Sequence, residues 1–138
     1  MIGRKFVQAA LAAFAVGFVL SGLWHVLLMA DFYESNAAGA VREAPVFWVI
    51  GLAYLLVGFI MAYMYPKGYE GGSPIGEGLK FGAIIGLLWW FASNLVLYGA
   101  LEGTFTVVLV DGGWHLVEQG LAGMAVAMVY GRSSQEGS

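Results

Sequence analysis

The chain has 138 residues, 60% hydrophobic and 11% charged, with a formal charge of -3. Soluble domains carry about 25% charged residues, so this composition excludes an ordinary water-exposed globule, and the lack of any basic patch excludes nucleic acid as a partner. With no cysteine, there is no disulfide, thiolate metal site, iron–sulfur cluster or thiol nucleophile.

Four apolar runs, at about 6–30, 46–65, 80–101 and 106–130, fill most of the chain. At about 1.5 Å per residue each covers the roughly 30 Å hydrocarbon layer. A chain this short cannot close a spanning barrel, and lipid tolerates no unpaired backbone group, so each run is expected to be a helix. The predicted fold is all-α: an integral membrane four-helix bundle forming one domain over 1–138. The first run follows Arg4 and Lys5 and is about twice as long as a signal-peptide core, so it is expected to remain as a helix.

Basic residues set the orientation. With the N-terminus inside, Arg4, Lys5, Lys67, Lys80 and Arg132 fall on the cytoplasmic side and only Arg42 outside. Both termini are then cytoplasmic, and the protein is expected to be a multi-pass protein of a bacterial inner membrane. The outer loop from Asp31 to Pro45 is long enough to fold over the mouth of the bundle. Pro66 lies where it is expected to stop the second helix. Ser73 and Pro74 supply an N-cap and a first-turn proline for a helix leading through Lys80. Trp48, Trp89, Trp90 and the tyrosines are expected to be mostly interface and packing aromatics.

Helix faces locate the chemistry. On the first helix Ala13, Gly17, Ser21 and His25 recur every four residues, a small-residue seam that lets helices approach and turns His25 inward. On the fourth, Asp111, His115 and Glu118 share one sector at 100° per residue. Gly113, Gly120, Gly123, Ala127 and Gly131 cluster opposite. Trp114, Val117, Leu121, Met124 and Met128 lie between, as an expected lipid face. Asn94 and Tyr98 fall at matching depth on the third helix. These polar groups are costly to insert into lipid, so a shared cavity opening outward is the simplest arrangement. A short echo, Gly22-Leu-Trp24-His25 against Gly112-Gly-Trp114-His115, sets two Trp–His pairs at comparable depth.

His25, His115, Asp111 and Glu118 are the candidate metal ligands, of a type suited to Zn²⁺, Mn²⁺, iron or Cu²⁺. Neither H-E-x-x-H nor a ferritin-type E-x-x-H pair is present. Asn94, Tyr98, Asp111, Trp114 and Glu118 are the candidate ligand-binding residues. A bis-histidine haem between His25 and His115 is a further reading, as is a proton relay. A hydrogen-bond network that only pins helix register is the structural alternative. No nucleophile elbow or phosphate loop marks an enzyme.

The first-helix seam ending in Gly22-Leu-Trp24-His25, the Glu77-Gly-Leu-Lys-Phe-Gly stretch, Asn94 with Tyr98, and Asp111-x-x-Trp114-His115-x-x-Glu118-x-x-x-x-Gly123 together resemble a family of small four-helix bacterial membrane proteins catalogued as a domain of unknown function. The likeness covers nearly the whole chain and is most specific in the last helix. It implies a four-span bundle and marks Asn94, Asp111, Trp114, His115 and Glu118 as motif positions. The family pattern often has Tyr where His25 stands, a departure that bears on any two-histidine scheme. No activity follows from the resemblance.

The expected function is an outward-facing polar cavity binding a divalent metal or small ligand, in transport, sensing or an accessory role. The alternatives are a structural subunit of a larger membrane complex and a tetrapyrrole-binding bundle. Lipid is the expected partner, with a homo-oligomer or a larger complex as candidates.

Overall fold

A computed structural model of the chain describes residues 3–36 and 42–131. The polar tail from Arg132 onward and the middle of the Asp31–Pro45 loop lie outside the described residues. All regular structure among them is helical: α1 (Arg4–Gly22), a π-helical turn (Leu23–Leu28), α2 (Ala30–Asn36), α3 (Phe47–Gly68), α4 (Pro74–Gly86), a second π-helical turn (Leu87–Phe91), α5 (Ala92–Ala100) and α6 (Phe105–Gly131). Three stretches are long and apolar enough to cross a membrane: Arg4–Leu28, Phe47–Gly68 and Pro74–Ala100. The helix α6 is as long but less apolar, because it carries Asp111, His115, Glu118 and Gln119.

One helix end differs from expectation. Pro66 does not stop the second helix, which runs on to Gly68. Proline has no N–H to give the carbonyl four residues back, here that of Ala62. The Tyr130 hydroxyl of α6 donates to that carbonyl at 2.7 Å, so the lost bond is replaced from a neighbouring helix. The helix that leads through Lys80 starts at Pro74, as the Ser73–Pro74 pair predicts. Ser73 caps it, its Oγ accepting from the Gly76 N–H at 3.1 Å. The first run closes at Leu28, and after Met29 the short α2 begins.

Close backbone contact holds the rods together. The most extensive packing joins α4 to α6, followed by α1 with α3 and α1 with α6. Gly78, Gly82 and Gly86 repeat every four residues along α4. A Cβ at Gly82 would overlap the Gln119 carbonyl oxygen, one at Gly86 the His115 carbonyl oxygen, and one at Gly78 would crowd Gly123. Small residues at this spacing bring two helices to backbone contact, gaining dispersion contacts where lipid offers no hydrophobic drive. Gly58 of α3 lies equally close to the Ala10 carbonyl of α1. Beneath the polar region these helices enclose a solid apolar core around Ala10, Met61, Ala62, Ala122 and Val126, all essentially inaccessible.

Candidate functional site

The polar side chains form two layers, each centred on one carboxylate of α6. The upper layer is Asp111. His25 Nε2 lies 2.8 Å from its Oδ1, and the Tyr33 hydroxyl donates to the same oxygen at 2.6 Å. Asn94 Nδ2 donates to Oδ2 at 2.8 Å, and the Trp90 indole N–H donates there as well. Three unambiguous donors, Tyr33, Asn94 and Trp90, to two oxygens mark an ionised carboxylate. Tyr33, on α2, is set over the site and also accepts from Trp24 Nε1 at 2.9 Å. Burial, and after it the Asp111 carboxylate, raise the Tyr33 phenol above its ordinary range, so it remains a donor.

The lower layer is Glu118, which is 0% exposed. Its Oε1 accepts from Tyr54 at 2.9 Å, Gln119 Nε2 at 2.9 Å and His115 Nδ1 at 3.0 Å. Its Oε2 accepts from the Trp114 indole at 3.0 Å. Glu118 is thus also fully engaged, and by side chains from α3 as well as α6.

The two histidines join the layers. His25 Nδ1 lies 3.0 Å from the Ser21 carbonyl oxygen, which can only accept, so that nitrogen carries a proton. His115 Nδ1 likewise faces Glu118 Oε1 at 3.0 Å; in a neutral ring protonated there, Nε2 carries the lone pair. That Nε2 is buried, has no hydrogen-bond partner, and lies 3.7 Å from Asp111 Oδ1. Ligand atoms of His25, Asp111 and His115 all fall within 4.8 Å of one another.

Both π-turns sit beside this cluster. The first contains Trp24 and His25, with the Met29 N–H reaching back to the Trp24 carbonyl at 2.8 Å. The second contains Trp89 and Trp90. A π-turn inserts an extra residue and re-aims the side chains beyond it, a device frequent at functional sites. The Trp24 and Trp114 rings stack with centroids 4.3 Å apart and planes 4° from parallel, while His25 and His115 lie 5.6 Å apart. The two halves of the Gly-x-Trp-His echo therefore meet face to face.

Among the candidate residues, His25, Asn94, Asp111, Trp114, His115 and Glu118 are brought together. Tyr98 stands apart from the hydrogen bonds, exposed, packed edge-on against Phe105 at 5.2 Å, and at the wall of a cavity over Asp111. Trp114 does not belong to the lipid face expected for it: its ring stacks on Trp24 and its N–H is spent on Glu118, whereas Val117 and Met128 are exposed. Gly113 meets nothing, and Gly120 and Gly123 face α4. Trp90, Tyr33 and Tyr54 are not readable from the sequence as more than packing aromatics, yet each donates to a carboxylate. Trp48, at 74% exposure, does behave as a surface aromatic. A signal for Trp90 exists: it stands four residues before Asn94 on the stripe that begins with Gly78, Gly82 and Gly86.

A helical membrane protein with paired carboxylates and histidines buried between its helices is the class these features define. The chain belongs to the family described as "Predicted membrane protein (DUF2177)", which it matches over residues 6–128. No curated protein and no solved structure matches it.

Proposed function

We propose that the chain is an inner-membrane four-helix bundle, with α6 as its fourth span and both termini cytoplasmic, that holds one divalent transition-metal ion through His25 Nε2, Asp111 Oδ1 and His115 Nε2. The observation that carries this is His115 Nε2, buried without a hydrogen-bond partner and 3.7 Å from a carboxylate oxygen. With His115 neutral, two buried acceptors face each other, and a metal ion between them would satisfy both. Ligands about 2.0–2.1 Å from a tetrahedral ion stand roughly 3.4 Å apart; the present separations from Asp111 Oδ1, 2.8 Å and 3.7 Å, bracket that value.

Each histidine is also oriented as metal ligands are. The remaining ring N–H goes to a backbone carbonyl in His25 and to a carboxylate in His115, which fixes the tautomer and raises ligand basicity. In this scheme Glu118, its oxygens already taken by four donors, positions His115 and does not bind the ion. Two imidazoles, one carboxylate and no thiolate favour Zn²⁺, Fe²⁺, Mn²⁺ or Co²⁺ over Ca²⁺ or Cu⁺. A tetrapyrrole between the rings would need the space that Asp111 Oδ1 holds. The apolar core and glycine contacts below Glu118 offer an ion no way through, which favours sensing or an accessory role over passage. The five-to-one division of basic residues supports the orientation, with the cavity on the outer side.

One feature favours the structural reading: each carboxylate is saturated by protein donors, as a register-fixing network requires. Metal analysis separates the two. Protein purified in detergent and dialysed against Co²⁺ should retain close to one ion and show a tetrahedral visible spectrum. His115→Leu should lose the ion with helix content unchanged, and Glu118→Gln should weaken binding about 10–100-fold. A wild type that binds no ion, together with a His115→Leu variant more stable than it, decides for the register network.

A further inference from the structure

Above Asp111 lies a cavity of about 230 Å³ between α2, α5 and α6, with the α5–α6 turn at its rim. Tyr33, Trp90 and Tyr98 wall it with aromatic rings, and Leu97, Val107 and Val108 complete the sides. His25, Asn94 and Asp111 form its floor. Among the described residues lining it there is no lysine or arginine. An apolar cavity of about 150 Å³ accommodates benzene, so this volume suits one substituted ring. At the floor, Asn94 gives one Nδ2 hydrogen to Asp111, which leaves its Oδ1 as an acceptor and its second N–H as a donor for a ligand hydroxyl. A three-ligand ion also keeps an open position.

We propose that this cavity binds a single aromatic ring bearing a hydroxyl group, a phenol or quinol, with the hydroxyl at the Asn94–Asp111 floor and the ring among Trp90, Tyr98 and Tyr33. The hydroxyl donates to Asn94 Oδ1, and an ion held by His25, Asp111 and His115 would have a coordination position to offer its oxygen. The exposed Leu97 and Tyr98 on the outer surface of α5 leave a tail on the ring a path into lipid. The inference rests on the proposed ion site for its strength and on the cavity alone for its existence.

Saturation-transfer NMR on the full chain in detergent, once with chelator and once with Co²⁺, tests both separately. Hydroquinone should bind in each sample, at least tenfold more tightly with Co²⁺, and should shift the Co²⁺ visible spectrum. Leu97→Trp and Val107→Phe, each filling the cavity, should abolish hydroquinone binding while Co²⁺ is retained. Binding with chelator but no Co²⁺ uptake leaves the ring site standing and removes the ion site. Co²⁺ uptake without hydroquinone binding overturns the ring site, as does equal binding of cyclohexanol or hexanoate. A decyl-tailed hydroquinone that binds more tightly than hydroquinone, where decylbenzene does not bind, assigns the ring to the membrane pool; equal affinities assign it to water-borne phenols.

Discussion

The two ends of this molecule are built by opposite means. At the end where α4 begins and α6 finishes, glycines face glycines and the helices touch through their backbones. At the other end, indoles, phenols and imidazoles separate the same helices, and both π-turns occur near that change. Rigid close packing of small residues fixes where the helices lie. The larger side chains beyond it can then be directed at two carboxylates. The glycine end accordingly serves as scaffold, and the histidine end carries the polar groups.

That contrast can be broken most severely at Gly82. Gly82→Ile drives a branched side chain into the Gln119 carbonyl and should cost ~3 kcal/mol or more, seen as a collapse in folded yield and melting temperature in detergent. If the melting temperature held, the α4–α6 contact would not be the scaffold. Next comes Glu118→Leu, which strands the donors of Tyr54, His115, Trp114 and Gln119. Breaking a buried charged network costs about 3–5 kcal/mol. Asp111→Leu should cost less in thermal unfolding, because water entering its cavity can serve the donors left behind. Equal losses would mean the two layers share one environment.

Tyr130→Phe leaves the Ala62 carbonyl without its donor and should destabilise by about 1 kcal/mol. Pro66→Ala returns the backbone N–H, so in that background the same change should cost only a few tenths. A double-mutant cycle measures the difference. The smallest effect is expected at Gly113, where a Cβ meets nothing. Gly113→Ala should stabilise by up to ~1 kcal/mol through helix propensity, and a loss of stability there would reveal a neighbour.

How much of this is legible in the sequence depends on how each feature arises. Helical character is stated by the long apolar runs themselves, and a single helix phase suffices to group Asp111, His115 and Glu118. His25 is readable because Ala13, Gly17 and Ser21 lead to it at constant spacing. The donors from other helices are not. Tyr54 reaches Glu118 because Gly17 lets α3 come close, a Cβ there lying 3.0 Å from the Tyr54 ring, and no spacing within α3 states that distance. Trp90 reaches Asp111 from within a π-turn, and a pattern read at 100° per residue takes no account of the inserted residue. Tyr33 belongs to a segment that reads as a loop. Pro66 misleads for the same reason: the group that replaces its missing bond comes from a residue 64 positions later.

The stacked indoles of Trp24 and Trp114 have an optical consequence. Two nearly parallel chromophores 4.3 Å apart share their excited states, and hypochromism of their ultraviolet absorption is the expected sign. Any separation of α1 from α6 at this level uncouples them. The extent of that hypochromism is thus an intrinsic gauge of whether the two Trp–His segments remain face to face, readable in detergent or in vesicles without a label.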